Sequence, residues 1–508
     1  MQDLDTNRTH QVKMTGGASG HIIRRTFSVC PVCLKRIPAC HVQTETAVFM
    51  VKECPAHGFF STPVWRNHVS ITEWIGDVPE IRDGENLDCP HACGLCPDHQ
   101  RETCCVLLEV TGQCNLHCRF CFADAAPALD PATETVKGWL DQLAVPGKTL
   151  VQLSGGEPTV RDDLPEIIRH ARQAGCAHVQ LNSNGIRLGQ DKAYAGSLAE
   201  AGLSFVFLQF DGMDDDVYRT LRGKPLLEIK KKAITHCGEC GIGVTLVPTL
   251  VPEVNVHQIG AIIDYGISMS PWVRGVHFQP VSFFGRIPQM PLDQMPSDQM
   301  PSDRMRLTLD QLMAKIETQT GGRIARQHLL SSRFNHPLCK FHGDFVVLPD
   351  SIMPLSHPRD RSGKCCDSPV TVDQNRAFIT RRWQRPAPDL LSPAGEAPSR
   401  CCPSSGNIVP ASCCNPNALT APREGRFPDK PSQTPFPMNP PPDSLDLDYF
   451  MNRVRTHGFT LTSMAFQDAG NLDIERLRRC SLHVFDNGRF VPFCAYYLSG
   501  WQPKEGSS

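Results

Sequence analysis

Between Val106 and about Arg286 short apolar runs alternate with longer stretches of helical periodicity. The apolar runs predict buried strands at 106–111, 149–153, 178–182, 205–210, 243–249 and 275–280. Between them the spacing predicts helices near 132–144, 163–174, 191–201, 226–237 and 256–266. Strand–helix alternation of this kind gives an α/β fold with a parallel sheet and right-handed crossovers. Outside this stretch the pattern changes. Residues 1–25 read as a flexible tail and 26–105 as a compact cysteine-rich module. Residues 287–384 read as a linker and auxiliary region, with Met290, Met295, Met300 and Met305 on a five-residue repeat and helical character over 306–330. Residues 385–445 are loaded with proline and predict a mobile insertion. Order returns over 446–508, where Asp486-Asn487-Gly488 predicts the turn of a hairpin.

Composition changes the picture at one point. The 508 residues balance 51 basic against 53 acidic side chains, so no bulk charge draws the chain to nucleic acid or to an anionic membrane. No apolar run approaches the roughly 18 residues of a spanning helix, and the polar first residues lack the layout of a secretion signal. The expectation is a soluble cytoplasmic protein. Cysteine is the exception, with 24 residues. A disulfide scaffold predicts a short exported chain, so metal or cluster ligation in a reducing compartment is the better reading, with an anaerobic or microaerobic host.

The chemistry centres on VLLEVTGQCNLHCRFCFAD, where Cys114, Cys118 and Cys121 follow the first strand as C-x3-C-x2-C. Three thiolates on one tight loop suit three irons of a [4Fe–4S] cubane, which ordinarily takes four cysteines; the iron left over is open to substrate. The second strand ends in Ser154-Gly155-Gly156-Glu157-Pro158, where two glycines allow close backbone approach. The third ends in Asn182-Ser183-Asn184-Gly185 and the fourth in Gln209-Phe210-Asp211-Gly212. In barrels these strand ends carry the chemistry. Asp211 reads as a catalytic or ribose-contacting carboxylate, or as the cap of the next helix. His277 and Gln279 share one strand face and read as packing.

Further cysteines fall into groups. Cys30, Cys33 and Cys54 have the look of a zinc ribbon or rubredoxin-type site for zinc or iron. Their fourth ligand is expected from Cys40 or the next group, with His57 read rather as a turn residue. Cys89, Cys93 and Cys96 repeat the spacing of the main triad, and Cys104 would complete a second cluster. Cys339, Cys480 and Cys494 form a third candidate set. The adjacent pairs at 365–366, 401–402 and 413–414 are poor joint ligands for one ion, and the later two lie in the proline-rich insertion.

The triad, with Phe120 before its third cysteine, resembles the signature of radical S-adenosylmethionine (radical SAM) enzymes. Together with CPVCLKRI, ECPAHG, CPHACGLCPDH and CSLHVFDNGRFVPFCAYY it resembles the family of tetraether lipid synthase and dihydro-hydroxymethylpterin dimethyltransferase. The linker and the paired cysteines look closer to a bacterial TrsS-like (seleno)protein branch. The resemblance implies a partial (β/α)6 barrel flanked by small cysteine-rich metal-binding modules. It implies that the triad holds the cubane, that S-adenosylmethionine completes it, and that Gly155, Gly156 and Glu157 meet the methionine end. Asn182 and Asn184 stand where they would reach the adenosine, and Gln209 at the barrel mouth is a further expected cofactor contact. It further implies auxiliary [4Fe–4S] clusters, a mononuclear iron or zinc, and a reducing donor such as flavodoxin or ferredoxin. The expected chemistry is reductive cleavage to a 5′-deoxyadenosyl radical that takes hydrogen from a substrate, leading to C–C bond formation or methylation. The substrate class, whether small molecule, lipid or partner protein, stays open. The competing reading is a non-catalytic electron-transfer or metal-delivery protein, which leaves the Gly-Gly-Glu-Pro motif unexplained.

Overall fold

A computed structural model describes residues 11–13, 19–76, 89–91, 94–123, 130–286, 305–332, 334–356, 371–384 and 447–498. Cys93, the methionine repeat before residue 305, the proline-rich insertion and the three cysteine pairs lie outside them. The chain divides into a unit of Met1–Arg385 with Asn452–Ser508 and a second of Pro386–Met451. Of the second, only residues 447–451 are described, and they begin the helix Leu447–Thr456.

The first strands form a separate antiparallel sheet. β1 (Gln11–Lys13), β2 (Ser19–Val29), β3 (Arg36–Gln43), β4 (Val48–Cys54) and β5 (Gly58–Trp65) pair in that order. Residues 19–25, read from sequence as tail, therefore belong to a strand paired along β3. Their polar alternation is that of a sheet with one wet face, which composition alone does not separate from a loose segment.

The apolar runs form the strands that their pattern predicts. β6 (Cys105–Thr111), β7 (Leu150–Gly155), β8 (His178–Ser183), β9 (Phe205–Gln209), β10 (Gly243–Val247) and, after the two-residue β11 (Thr249–Leu250), β12 (Val273–Pro280) lie side by side and parallel. Helices such as Thr133–Leu143, Leu164–Gln173, Leu227–Glu239 and Ile259–Ser268 connect them. On these strands Leu108, Val110, Val151, Leu153, Val179, Leu181, Val206 and Leu208 belong to the main buried core. The alternate positions are different. Gln152, Gln180, Phe207 and His277 face a cavity on the other side of the sheet. Amides at these interior positions leave the centre open, where aliphatic side chains would have filled it.

An incomplete barrel has two free edges, each a row of unsatisfied backbone groups. Later segments cover both. β13 (Leu330–Ser331), β14 (Phe341–Val347) and β15 (Ile352–Pro354) join β16 (Gly458–Ser463), which pairs parallel to β12. β17 (Leu482–Asp486) pairs parallel to β6 and turns through Asn487 and Gly488, both at positive φ, into β18 (Arg489–Pro492). The hairpin is therefore as the sequence predicts, and the described strands of the regions 287–384 and 446–508 do not stand apart from the barrel. They extend the central sheet, and residues 464–481 run from one edge to the other. The N-terminal sheet rests on this crossing segment. The Lys52 ammonium, buried, donates to the Ala469 carbonyl at 2.6 Å, and Arg24 pairs with Glu475.

Candidate active site

The strand ends meet at a cavity of about 1280 Å³. Cys114, Cys118 and Cys121 all line it, partly exposed and free of disulfides. Local backbone holds their loop. Cys121 exchanges two hydrogen bonds with Arg286, N to O at 3.0 and 2.9 Å, and the Arg119 amide donates to the Leu221 carbonyl at 3.1 Å. The Leu116 amide donates to Cys114 Sγ at 3.4 Å. Burial, with the charges of Glu157, Cys118 and Cys121, pushes the Cys114 thiol up to about 11. Three sulfurs on one loop that line one open space fit a cluster held at three corners.

The Gly-Gly-Glu-Pro segment is locked to this loop. The Gly156 amide donates to the Thr111 carbonyl and the Glu157 amide to the Gln113 carbonyl, both at 2.8 Å. Gly155 has φ +114°, and a Cβ there would stand 2.2 Å from the Thr111 oxygen; one on Gly156 would stand 2.0 Å from the Gln113 oxygen. The close approach that requires glycine is thus to the backbone before Cys114, although both glycines also line the cavity.

Glu157 is 1% exposed and its carboxylate is occupied by protein. Oε1 accepts from Thr159 N at 3.1 Å, Thr159 Oγ1 at 2.6 Å and Ser183 Oγ at 2.8 Å, and Oε2 from the Asn184 amide at 2.6 Å. It ties the ends of β7 and β8 together while it lines the same cavity. Asn182, Asn184 and Gln209 line the cavity as expected of their strand ends. The Asn184 side chain donates to Asn115 Oδ1 at 2.7 Å, linking β8 to the cysteine loop.

Asp211 departs most from expectation. It is fully buried. Oδ1 accepts from Arg222 Nη2 at 2.8 Å and the Thr249 amide at 3.1 Å; Oδ2 accepts from Arg222 Nε and Gln209 Nε2, each at 2.8 Å. All its acceptor capacity is used, so it holds Arg222 and meets no ligand. Arg222 in turn stands close enough to Cys118 for their charges to act on each other, and donates to the Phe120 carbonyl at 3.4 Å. Sequence reasoning passed over Arg222; the signal was a basic residue ending an acidic-started helix, which usually means only a favourable helix dipole. It also passed over Lys230, buried beneath the site, which donates to Gln209 Oε1 at 2.8 Å and to the Asn184 carbonyl and whose ammonium burial lowers to about 8.

In the N-terminal sheet Cys30, Cys33, Cys54 and His57 bring their ligand atoms within 4.8 Å of one another. His57 Nδ1 stands 3.5 Å from Cys30 Sγ and 3.4 Å from Cys54 Sγ. The fourth ligand position thus falls to His57, the residue read as a turn. Cys40 lies on β3 opposite Val51, packed with Val42 and Phe49. Three thiols and one imidazole at this spacing fit a tetrahedral ion.

The remaining cysteines have these neighbours. Cys104 is the residue expected to join Cys89, Cys93 and Cys96. It lines the cavity beside Cys105, 3.8 Å between sulfurs, and accepts from Asn375 Nδ2 at 3.1 Å. Cys89 is buried in one apolar cluster with Cys494. Cys339, Cys480 and Cys494 lie close enough for their charges to act on one another, and burial, then Cys339, pushes the Cys480 thiol up to about 11. Cys96 is partly exposed.

Parallel strands whose ends gather a three-thiol loop, a glycine pair and a roomy polar interior have the layout of an enzyme's active site. Comparison with known proteins agrees. Residues 108–266 match the radical SAM superfamily and residues 22–66 the HMPTM N-terminal zinc ribbon domain. The 7,8-dihydro-6-hydroxymethylpterin dimethyltransferase of Methanocaldococcus jannaschii is 32% identical over 497 residues, covering 93% of each chain. The Fe-coproporphyrin III synthase of Methanosarcina barkeri is 36% identical over 164 residues, 31% of this chain and 40% of that one. A crystal structure of methylornithine synthase aligns with a TM-score of 0.32 and 18% identity over 43% of this chain and 64% of its own. The chain belongs to the radical SAM superfamily, in the family of that pterin dimethyltransferase, and is an enzyme of the transferase type. No helix among the described residues is long and apolar enough to cross a membrane.

Proposed function

We propose that this chain transfers methyl groups, from a second molecule of S-adenosylmethionine besides the one cleaved, to a reduced pterin or a closely related small heterocycle, through a [4Fe–4S] cluster on Cys114, Cys118 and Cys121. The observation that carries the reading is that the three thiols and the Gly155-Gly156 pair face one cavity and are joined backbone to backbone. When bound, such a cluster supplies the electron that cleaves S-adenosylmethionine to a 5′-deoxyadenosyl radical. The chain's own groups do the rest. Arg222, fixed by Asp211, orients Cys118; Glu157 and the Asn115–Asn184 contact keep β8 in register with the cysteine loop. The edge strands enclose the cavity and keep water from a reactive intermediate. Gln152, Gln180 and Gln279 offer neutral donors and acceptors of the kind that a heterocycle's amide-like edges require. The pterin itself is taken from the relative's activity. We assign Cys30, Cys33, Cys54 and His57 to a mononuclear zinc or iron. Cys339, Cys480 and Cys494 with the Cys89–Cys96 segment are assigned to auxiliary clusters, reduced by a flavodoxin- or ferredoxin-like donor.

The test is anaerobic reconstitution and EPR with and without S-adenosylmethionine, followed by incubation with dithionite, excess S-adenosylmethionine as source of both radical and methyl group, and 7,8-dihydro-6-hydroxymethylpterin. A cluster signal that shifts on adding the cofactor, and a pterin product heavier by one or two methyl groups, are expected. A signal indifferent to the cofactor would remove the radical chemistry; an unchanged pterin with 5′-deoxyadenosine formed would remove only the substrate.

A further inference from the structure

Two rings meet across a strand on the inner face of the central sheet. β10 lies between β9 and β12, so Phe207 on β9 and His277 on β12 start from backbones two strand spacings, about 10 Å, apart. Their ring centroids are nonetheless 5.3 Å apart, with the planes inclined at 40°. Small residues explain the approach. Thr245 of β10 pairs with Phe207 on one side and with Gly275 on the other, so no bulky side chain continues the row of Phe207. Thr245 is fully buried and is not part of the cavity wall, as expected beneath two rings that close over it. His277 Nδ1 stands 2.7 Å from Thr462 Oγ1, which fixes the plane of the imidazole. Trp383 adds a third ring, 5.5 Å from Phe207 and almost perpendicular to it at 84°. It ends the helix Val372–Trp383 and is positioned by the residue before it. Arg382 pairs with Asp344 of β14, and its carbonyl accepts from Arg274 Nε at 3.3 Å. All three rings line the cavity, and Phe207 and His277 are only half-buried. Gln152 and Gln279 line the same cavity, and among the described residues their side chains have no hydrogen-bond partner.

Ring surface open to a cavity is apolar area whose burial is favourable, and rings prefer offset or edge-on partners with centroids about 4.5–7 Å apart. An aliphatic chain would cover the rings but leave both amides unsatisfied, whereas a flat ring with a polar edge meets both needs. We propose that Phe207, His277 and Trp383 bind the face of a planar heteroaromatic ring in the substrate, and that Gln152 and Gln279 read the polar edge of that ring. Phe207 and His277 each stand one inner-face step before Gln209 and Gln279, nearer the start of their strands. The bound ring therefore lies deeper in the barrel than the cysteine loop, which follows the end of β6. The inference rests on the proposed function only in taking the cavity as the substrate site, not on methyl transfer or on the pterin. The rival occupant of the wall is the adenine of the cofactor, and the experiment separates the two.

Full-length protein, anaerobically reconstituted and without reductant, would be equilibrium-dialysed against two flat fluorescent probes, 6-hydroxymethylpterin and lumichrome. Each would be measured with and without saturating S-adenosylmethionine. Wild type would be compared with Phe207→Leu, Trp383→Leu and Phe207→Tyr, with iron content and circular dichroism recorded for each. The proposal expects one probe per chain, bound about two- to tenfold more weakly by either leucine variant and as well by Phe207→Tyr. Iron content and circular dichroism should stay as in the wild type, and S-adenosylmethionine should not displace the probe. Should one leucine variant fail to fold, the other carries the test. The proposal is overturned if neither probe binds the wild type, or if either folded leucine variant binds both as tightly as the wild type does. It is equally overturned if Phe207→Tyr loses as much as Phe207→Leu, or if S-adenosylmethionine displaces the probe, which would give the wall to the adenine. Lumichrome bound with this dependence on Phe207 while the pterin is not supports the wall and removes only the pterin. Probe binding needs no cofactor cleavage, so its failure is distinct from failure of the methyl-transfer reading.

Discussion

Arg222 forks onto Asp211, with Nε and Nη2 each 2.8 Å from a carboxylate oxygen, and the same guanidinium reaches Cys118. A carboxylate at a barrel strand end is thereby spent on holding a cation against a cluster-type cysteine. Charge-assisted pairs of this geometry are strong, and breaking one inside the protein strands the remaining charge.

Arg222→Met should therefore destabilise the fold by about 3–5 kcal/mol, because Asp211 is left buried without the cation it pairs with. Asp211→Asn, which keeps the shape and one acceptor, should cost less and should still load iron. Denaturant unfolding with iron analysis checks both; equal stability of Arg222→Met and wild type would refute the structural role given to the pair.

Gly156→Ala places a methyl where the Gln113 carbonyl stands, 2.0 Å away. Relief requires the backbone before Cys114 to move. The expected result is a marked fall in iron bound at the triad, with the overall fold retained by circular dichroism. Full iron loading in this variant would mean that the loop tolerates the shift.

Glu157→Gln keeps the outline of the side chain but sets an NH2 group against donors on Thr159, Ser183 or Asn184. Loss of its charge-assisted bonds should cost about 1.5–3 kcal/mol. Cofactor affinity, read from the EPR change on adding S-adenosylmethionine, should weaken while the cluster stays. Unchanged affinity would limit Glu157 to stability.

His57→Ala should remove one equivalent of zinc or iron from the N-terminal sheet and leave the triad cluster's EPR signal in place. Cys40→Ser should remove none. Metal analysis decides, and the opposite pattern would return the fourth ligand to Cys40.

His277 lines the cavity with Nδ1 2.7 Å from Thr462 Oγ1, and burial, then the charge of Lys340, lowers its pKa to about 3. An unfolded histidine titrates near 6.5. Below that pH the unfolded chain binds a proton that the folded chain does not, so the stabilisation is complete above about 6.5 and is lost as pH falls toward 3. The slope due to this residue is at most ~1.4 kcal/mol per pH unit. His277→Gln should flatten the pH dependence of unfolding between pH 6 and 4; an identical slope would mean that His277 protonates in the native state.

Much of the core was legible because strands buried on both faces announce themselves as apolar runs, and because a cysteine triad followed by Gly-Gly-Glu-Pro is fixed in sequence order. The strands Cys105–Thr111 and Leu150–Gly155 fall within a residue or two of their expected places. The C-x2-C knuckle and the Asn487-Gly488 turn were likewise local signals. Tertiary structure decided what distant residues do to each other. Only the folded chain turns Asp211 inward onto Arg222 and hands the fourth corner of the zinc-ribbon-like site to His57. Only the fold sends Gly458–Ser463 and Leu482–Asp486 to opposite edges of one sheet, and leaves Lys340 facing the cavity. The reason is physical. Periodicity and spacing record what a residue needs from its near neighbours, whereas satisfaction of a buried charge, a metal corner or an open sheet edge depends on partners that only the folded chain brings together.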